Sequence, residues 1–191
     1  MIGTKAFAAA ALLVSLGQTA ILGYMIEGRA SILRSGTEVL LKTAPVDPRD
    51  LLRGDYVILT YDISTIPTTS IAGARPEAGS PAQINVRLKP GPDGYWIVSE
   101  ASFDRLSGEA GSVVLVSQPM AINDWEWSNA GNLTVAYGIE TFYVPEGEGK
   151  PIEDGRNQGR VSVAARVSDD GQAQIRALML DGEALYEEPL Y

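Results

Sequence analysis

The chain has 191 residues, and one long uncharged stretch near its start leaves enough sequence for one sizeable domain. It contains no cysteine and no histidine, which excludes disulfides, thiol nucleophiles, Ser-His-Asp triads and metal sites built on thiolate or imidazole ligands. The formal net charge is −9 and the basic residues are scattered singly, so no binding to nucleic acid is expected.

The uncharged stretch begins at Ala6 and ends at Ile26. A helix of that length spans a hydrocarbon core of roughly 30 Å, and the stretch is longer than the apolar part of a typical cleaved signal. We therefore predict an uncleaved, single-pass signal-anchor, with a cleaved secretory signal as the alternative. The expected organisation is a cytoplasmic tail at 1–5, a linker at 27–36 and an extracytoplasmic domain at 37–191.

After residue 36, hydrophobic and polar residues alternate with a period of two, which predicts strands. The predicted strands are 38–43, 56–63, 83–89, 95–103, 113–116, 133–143, 160–167 and 174–180. Within them, Arg87 is expected to point outward, whereas Thr141 and Tyr143 are expected on the inward face of their strand. The segments Pro92-Asp93-Gly94 and Asp169-Asp170-Gly171 predict hairpin turns.

These patterns predict a mostly β fold, an antiparallel sandwich or open barrel, behind the N-terminal helix. Residues 65–81 are expected to form a long exposed loop, and the glutamates between 146 and 153 a solvated loop without helix. Shifts of 76 and 77 residues align similar stretches, such as Tyr61 with Tyr137 and Val86 with Val163. A repeat of 37–110 by 111–191 is therefore one hypothesis, and chance similarity of hairpins is the other.

The most informative segment lies at 45–64 and reads PVDPRDLLRGDYVILTYDIS. Asp47 is a good helix N-cap, Pro48 suits the first helical position, and Gly54 can end the turn before a strand. The candidate binding or structural residues are Asp47, Arg49, Asp50, Arg53, Gly54, Asp55, Tyr56, Leu59 and Tyr61. Helix caps with an Arg–Asp pair explain this cluster structurally, and a polar binding surface is the functional alternative. No metal is predicted, because a D-x-D-x-D-G loop is missing.

In Gly54-Asp55-Tyr56, with Leu59 and Tyr61 following, the chain resembles the GDYXXLXY family. The later segments Tyr137-Gly138-Ile139-Glu140 and Phe142-Tyr143-Val144-Pro145-Glu146-Gly147 resemble that family too. The resemblance implies a bacterial protein that is anchored in the membrane by an N-terminal helix and carries an extracytoplasmic domain. It supplies no biochemical activity and no catalytic residues.

A second candidate site is the pair Trp125 and Trp127, which would share one face if their segment were a strand. Such an aromatic ledge would bind a sugar or a peptide, whereas aromatic packing at a sheet edge or contact with the membrane interface are the alternatives.

From the sequence we expect a non-enzymatic accessory or interaction module of the bacterial inner membrane, with its body in the periplasm. The membrane itself, through the anchor, and a membrane protein are the expected partners, and no cofactor is predicted. A domain that binds cell-wall glycan or peptide is the alternative. A carboxylate-dependent hydrolase is a remote third, because acidic residues are plentiful but no two stand out as a pair.

Overall fold

The computed structural model describes residues 3–45, 56–129 and 131–189. Within this part of the chain, a long helix α1 (Thr4–Ser35) precedes a body of short strands, and two smaller helices, α2 (Asp124–Asn129) and α3 (Gly149–Asn157), lie within it. Nearly all strand pairs are antiparallel, the short pair of β4 with β7 being parallel. The predicted mostly β, antiparallel fold behind an apolar N-terminal helix is thus confirmed.

The strands of the body are short, and some of the long strands that the sequence predicts are shortened or divided in the structure. They are β1 (Thr37–Lys42), β2 (Tyr56–Ile58), β3 (Thr65–Pro67), β4 (Ile71–Ala72), β5 (Pro81–Ala82), β6 (Asn85–Pro90), β7 (Trp96–Ser102), β8 (Val113–Val116), β9 (Met120–Ala121), β10 (Asn132–Thr134), β11 (Thr141–Tyr143), β12 (Val161–Val167), β13 (Ala173–Leu180) and β14 (Glu183–Glu187).

Two four-stranded sheets dominate the body, with strand orders β1-β12-β13-β14 and β4-β7-β6-β8. The predicted turns at 92–94 and 169–171 do join the hairpins β6–β7 and β12–β13. Both sheets contribute to one hydrophobic core, to which Leu41, Leu88, Leu115 and Val163 belong with no exposed surface. The body is therefore built around a single core.

A long two-stranded ribbon links the two sheets. β2 pairs with β11 and β3 with β10 in one continuous register, since Tyr56 faces Tyr143 at one end and Pro67 faces Asn132 at the other. The pairing is interrupted in the middle by a 3₁₀ turn at Asp62–Ser64 on one side and by Gly138 on the other. The ribbon joins β1 through a bridge between Thr43 and Tyr61, and it joins the segment after β8 through a backbone hydrogen bond from Gln118 to Ala136.

The interruption changes which side chains face the core. Val57, Leu59, Tyr61 and Ile63 are all buried, but after the 3₁₀ turn the buried positions become Ser64, Ile66 and Thr68. The partner segment shifts in the same way after Ile139, so Phe142 and Val144 are buried. The inward prediction for Thr141 and Tyr143 is therefore wrong: both are exposed, because one irregular turn reverses the alternation.

Three further expectations fail for reasons of packing. Arg87 is buried rather than outward, since it donates hydrogen bonds to Glu100, Ser107 and Ser112. Residues 65–81 are not a plain exposed loop, because β3 pairs with β10, β4 pairs with β7 and Ile66 is buried. The segment expected to be a solvated loop contains α3, which Ile152 fastens to the core.

The two halves of the body correspond in their hydrogen bonding. β6–β7 has a register shift between Arg87 and Leu88, and β12–β13 has one between Ala164 and Ala165, which is the same place after the 77-residue shift. β8 of the second half pairs with β6 of the first, and β1 of the first half pairs with β12 of the second. Each half thus donates a strand to the other, and common ancestry of the halves stays a prediction.

The apolar helix continues into the body. α1 is long and apolar enough to cross a membrane, and its residues from 6 to 29 are exposed along their whole length. It then runs without a break through the predicted linker at 27–36, where Ala30, Ile32 and Leu33 are buried against the body. Gly36 ends the helix by donating a hydrogen bond to the Ile32 carbonyl, and Arg166 donates to the Gly36 carbonyl at 3.0 Å. The helix is therefore packed onto the sheet instead of being tethered by a loop.

We predict that Leu33→Ala loosens this packing. Removing a buried leucine side chain costs about 2–5 kcal/mol, so the undocked population should rise about thirtyfold or more. Trypsin cleavage after Arg29 and Arg34 of the full-length protein in mild detergent, followed by fragment mass, measures this population. Leu12→Ala, at a residue with 61% exposure on the same helix, is the control and should leave cleavage unchanged. Equal cleavage of both variants would contradict the docked helix.

Candidate functional site at the helix–body junction

A groove lies where α1 meets the body, and we call it the junction groove. It has a volume of about 560 Å³. Its helix side is formed by Ile26, Arg29, Ala30 and Leu33, and its body side by residues 138–139, 141–143 and 174–175 with Glu188. The wall contains exposed apolar surface, since Ile26 is 65% and Tyr143 is 76% exposed. A partly apolar cleft with a few polar groups is the usual form of a binding site.

A second groove of about 510 Å³ lies beside the first, and we call it the polar groove. Arg29, Gly138 and Gln174 line both grooves, so the two adjoin at the end of the helix. The polar groove differs in chemistry, because its wall carries four glutamine side chains: Gln83, Gln118, Gln172 and Gln174. Such amides both donate and accept hydrogen bonds, which suits neutral polar ligands.

Arg29 is the cation shared by the two grooves. It is exposed and forms no ion pair with any residue of the described part of the chain. Arg34, one turn further on, is instead paired with Glu27. Because Arg29 lies three residues after the end of the apolar stretch at Ile26, a membrane crossed by that stretch would place its guanidinium among the lipid head groups.

Beneath the grooves, the centre of the ribbon is held by two buried tyrosines. The Tyr61 hydroxyl donates to the Ile139 carbonyl at 2.5 Å, and the Tyr137 hydroxyl donates to the Ile63 carbonyl at 2.8 Å. The two bonds are reciprocal: each half of the body supplies one donor and one acceptor. They replace the backbone pairing that the ribbon loses at its centre.

Burial raises the pKa of the Tyr61 phenol well above its ordinary value, and the nearby Glu140 charge raises it further. The pKa of the Tyr137 phenol is raised for the same two reasons. Both groups therefore stay neutral at any physiological pH and act as hydrogen-bond donors rather than as acids.

Glu140 shapes the bend at Gly138, which lines both grooves. Its two carboxylate oxygens accept hydrogen bonds from the backbone N–H of Tyr137 at 2.6 Å and of Gly138 at 2.9 Å. Gly138 has a φ of +84°, a conformation that residues with a side chain rarely adopt. Tyr137-Gly138-Ile139-Glu140 is therefore a structural turn that forms part of the groove walls.

The residues of the sequence motif divide into two groups. The first group lies outside the described residues: Asp47, Arg49, Asp50, Arg53, Gly54 and Asp55. Of the others, Leu59 and Tyr61 belong to the core, and Tyr56 is half-buried with its ring 6.0 Å from that of Tyr143. Tyr56 thus connects the motif to the rim of the junction groove.

The predicted aromatic ledge rests on a strand that does not form. Residues 124–129 form the helix α2, so the strand on which the ledge was conditional is not present. Trp127 packs on Phe103 at 5.7 Å, and the Arg75 guanidinium lies 5.4 Å from its ring centre. The Trp127 ring therefore has structural partners, and the side chain of Trp125 lies outside the described residues.

Sequence reasoning missed the junction groove and the buried Arg156. Arg156 is only 2% exposed and donates to the Ile58 carbonyl, which ties α3 to β2. Its signal was weak, because α3 contains both glycine and proline, which have low helix propensity. In the part of the chain that the structure describes, no cluster of three acidic residues could hold a metal ion.

The architecture defines the class of protein: a β-rich body packed onto an apolar N-terminal helix long enough to cross a membrane. A profile of the GDYXXLXY protein family matches residues 18–178, and the chain belongs to this family. The match begins inside α1 and covers both halves of the body. A search of curated proteins and a search of solved structures gave no match.

We predict that Tyr61→Phe and Tyr137→Phe each lower the free energy of unfolding by about 1–3 kcal/mol, because each leaves a buried carbonyl without its donor. Urea unfolding of the full-length protein in mild detergent, followed by tryptophan fluorescence, measures the change. Tyr143→Phe, at an exposed ring, should change it by less than about 0.5 kcal/mol. An unchanged free energy of unfolding in both Tyr61→Phe and Tyr137→Phe would show that the ribbon does not depend on these bonds.

The raised pKa values also predict a dependence on high pH. Above pH ~10 the unfolded chain loses its tyrosine protons while Tyr61 and Tyr137 in the folded chain keep theirs, so stability falls as pH rises. Each tyrosine contributes a slope of up to about 1.4 kcal/mol per pH unit. The double variant Tyr61→Phe/Tyr137→Phe should have a shallower slope between pH 10 and 11.5. Parallel slopes for the wild type and the double variant would contradict the assignment.

Proposed function

We propose that this GDYXXLXY protein is a non-enzymatic accessory module that holds its β body against the surface of the membrane and binds a membrane protein there. The observation that carries the proposal is the docking of α1, in which Ala30, Ile32 and Leu33 are buried in the body. A body on a flexible linker can search a large volume. A body packed onto the anchor helix is held with its surface at the membrane boundary. The ligands within reach of the junction groove are therefore those of the membrane itself.

We further propose that α1 is a single-pass anchor in the bacterial inner membrane, with the N-terminus in the cytoplasm and the body in the periplasm. The apolar stretch carries no charge between Ala6 and Ile26, which supports the anchor. The proposed orientation is the one that signal-anchors normally adopt, with the N-terminus in the cytoplasm.

A second candidate function is the binding of a peptide or glycan in the polar groove. It is favoured by the four glutamine side chains of that groove, since amides suit the hydrogen-bonding groups of a peptide backbone or a sugar. The polar groove lies on the body beside Arg29, so this ligand too would be bound near the membrane. No carboxylate pair stands out for the hydrolase hypothesis, and we do not propose it.

The test is photo-cross-linking in native membranes with a photoreactive residue at Tyr143, on the rim of the junction groove. The expected result is one dominant adduct with a membrane protein. A probe at Ile97, which is 48% exposed on another part of the body, is the matched control and should give little of that adduct. Adducts of equal yield at both positions, or with lipid alone, would contradict the accessory function. An adduct with peptidoglycan fragments would favour the second candidate.

A further inference from the structure

One polar side chain in the apolar stretch of α1, that of Gln18, is left without a hydrogen-bond partner among the described residues. Gln18 is exposed on the helix, and its carboxamide makes no hydrogen bond to any described residue. Thr19 differs, because its hydroxyl bonds back to the Ser15 carbonyl at 2.9 Å. A glutamine amide has two donors and an acceptor, and hydrocarbon offers partners for none of them.

Gln18 lies too deep in the apolar stretch for its amide to find hydrogen-bond partners among the lipid head groups. At 1.5 Å per residue it lies about 12 Å from the Ile26 end of the apolar stretch and about 18 Å from the Ala6 end. This is near the middle of a hydrocarbon core of roughly 30 Å, beyond the distance over which a glutamine side chain can reach the head groups. Another transmembrane helix is the remaining source of hydrogen-bonding partners at that depth.

The direction in which Gln18 points agrees with the position of the body. At 3.6 residues per turn, one face of α1, spanning about 60°, runs from mid-membrane into the body. The residues on this face are Ser15, Gln18, Leu22, Arg29 and Leu33. Leu33 is buried in the body, and Arg29 lines the junction groove. A helix packed beside Gln18 would therefore lead, at its outer end, to the groove of about 560 Å³.

From these observations we infer that the face of α1 containing Gln18 docks a transmembrane helix of a different protein. That helix carries a hydrogen-bonding side chain near the middle of the membrane, and its outer end is seated in the junction groove. The inference rests on the proposed accessory function and names the kind of surface that the partner presents. A second copy of this chain is disfavoured as the occupant. If two copies paired through this face about a two-fold axis, the β body of each copy would lie between the two helices. The two bodies would then occupy the same space, because each one packs on this face of its own helix at Leu33.

The experiment places a photoreactive residue at Leu22 of the full-length protein in native membranes. The control position is Leu13, about 180° away on the same helix. The expected result is an adduct at Leu22 and not at Leu13, with the attachment site mapped to a membrane-spanning segment of the same protein that Tyr143 captures.

The role of the amide is tested by substitutions at Gln18 combined with the Leu22 probe. Gln18→Leu should lower the yield of the adduct about threefold or more, because it removes the interhelical hydrogen bond while keeping the side-chain size. Gln18→Asn should retain most of the yield. Thr19→Val, which removes a hydroxyl that bonds only to its own helix, should leave the yield unchanged.

The contrary outcomes are distinct. Equal adducts at Leu22 and Leu13, an adduct with lipid only, or an adduct with a second copy of the chain would each overturn the inference. If Tyr143 captures a partner and Leu22 does not, the accessory function stands and the docked helix is wrong. If neither position captures a protein, both proposals fail.

Discussion

The reciprocal bonds of Tyr61 and Tyr137 at the centre of the ribbon are the contact on which the body depends. The ribbon gives up its backbone pairing where the 3₁₀ turn at Asp62–Ser64 faces the bend at Gly138. Two phenol hydroxyls restore two of the lost hydrogen bonds to the Ile63 and Ile139 carbonyls, inside a core where an unpaired carbonyl would be costly. Since β1 and the segment after β8 both attach to this ribbon, the two large sheets are positioned through it.

The body is also held together by an exchange between its halves. β1 completes the sheet of the second half, and β8 completes the sheet of the first. Neither half can therefore bury its hydrophobic face alone, which explains why one continuous core contains residues from both. The matching register shifts in β6–β7 and β12–β13 show that the correspondence extends to local irregularities, which hydrophobic patterning alone does not require.

The docked helix makes the two corresponding halves of the body different, because it packs on strands of the second half. α1 packs mainly against β12 and β13, and the junction groove and the polar groove adjoin beside Arg29. The bend at Gly138, fixed by Glu140, supplies the wall between them. Of the family-motif residues that the structure describes, Leu59 and Tyr61 lie in the core beneath these grooves, and Tyr56 is half-buried at the rim of the junction groove. Leu59 and Tyr61 support the surface that carries the grooves and do not form part of it.

Hydrophobic length, alternation and turn chemistry are local properties of a sequence, and they were enough to predict the apolar helix, the mostly antiparallel β class and the turns at 92–94 and 169–171. The sequence also indicated the family through Gly54-Asp55-Tyr56 with Leu59 and Tyr61. Three features follow from long-range packing instead: Thr141 and Tyr143 face outward, Arg87 is buried, and residues 27–35 form helix packed on a sheet. Each of these depends on partners distant in the chain: the ribbon strand opposite, the acids Glu100 and Glu109, and the strands β12 and β13. Alternation along a segment carries no information about such partners, so the grooves that they create could not be derived from it.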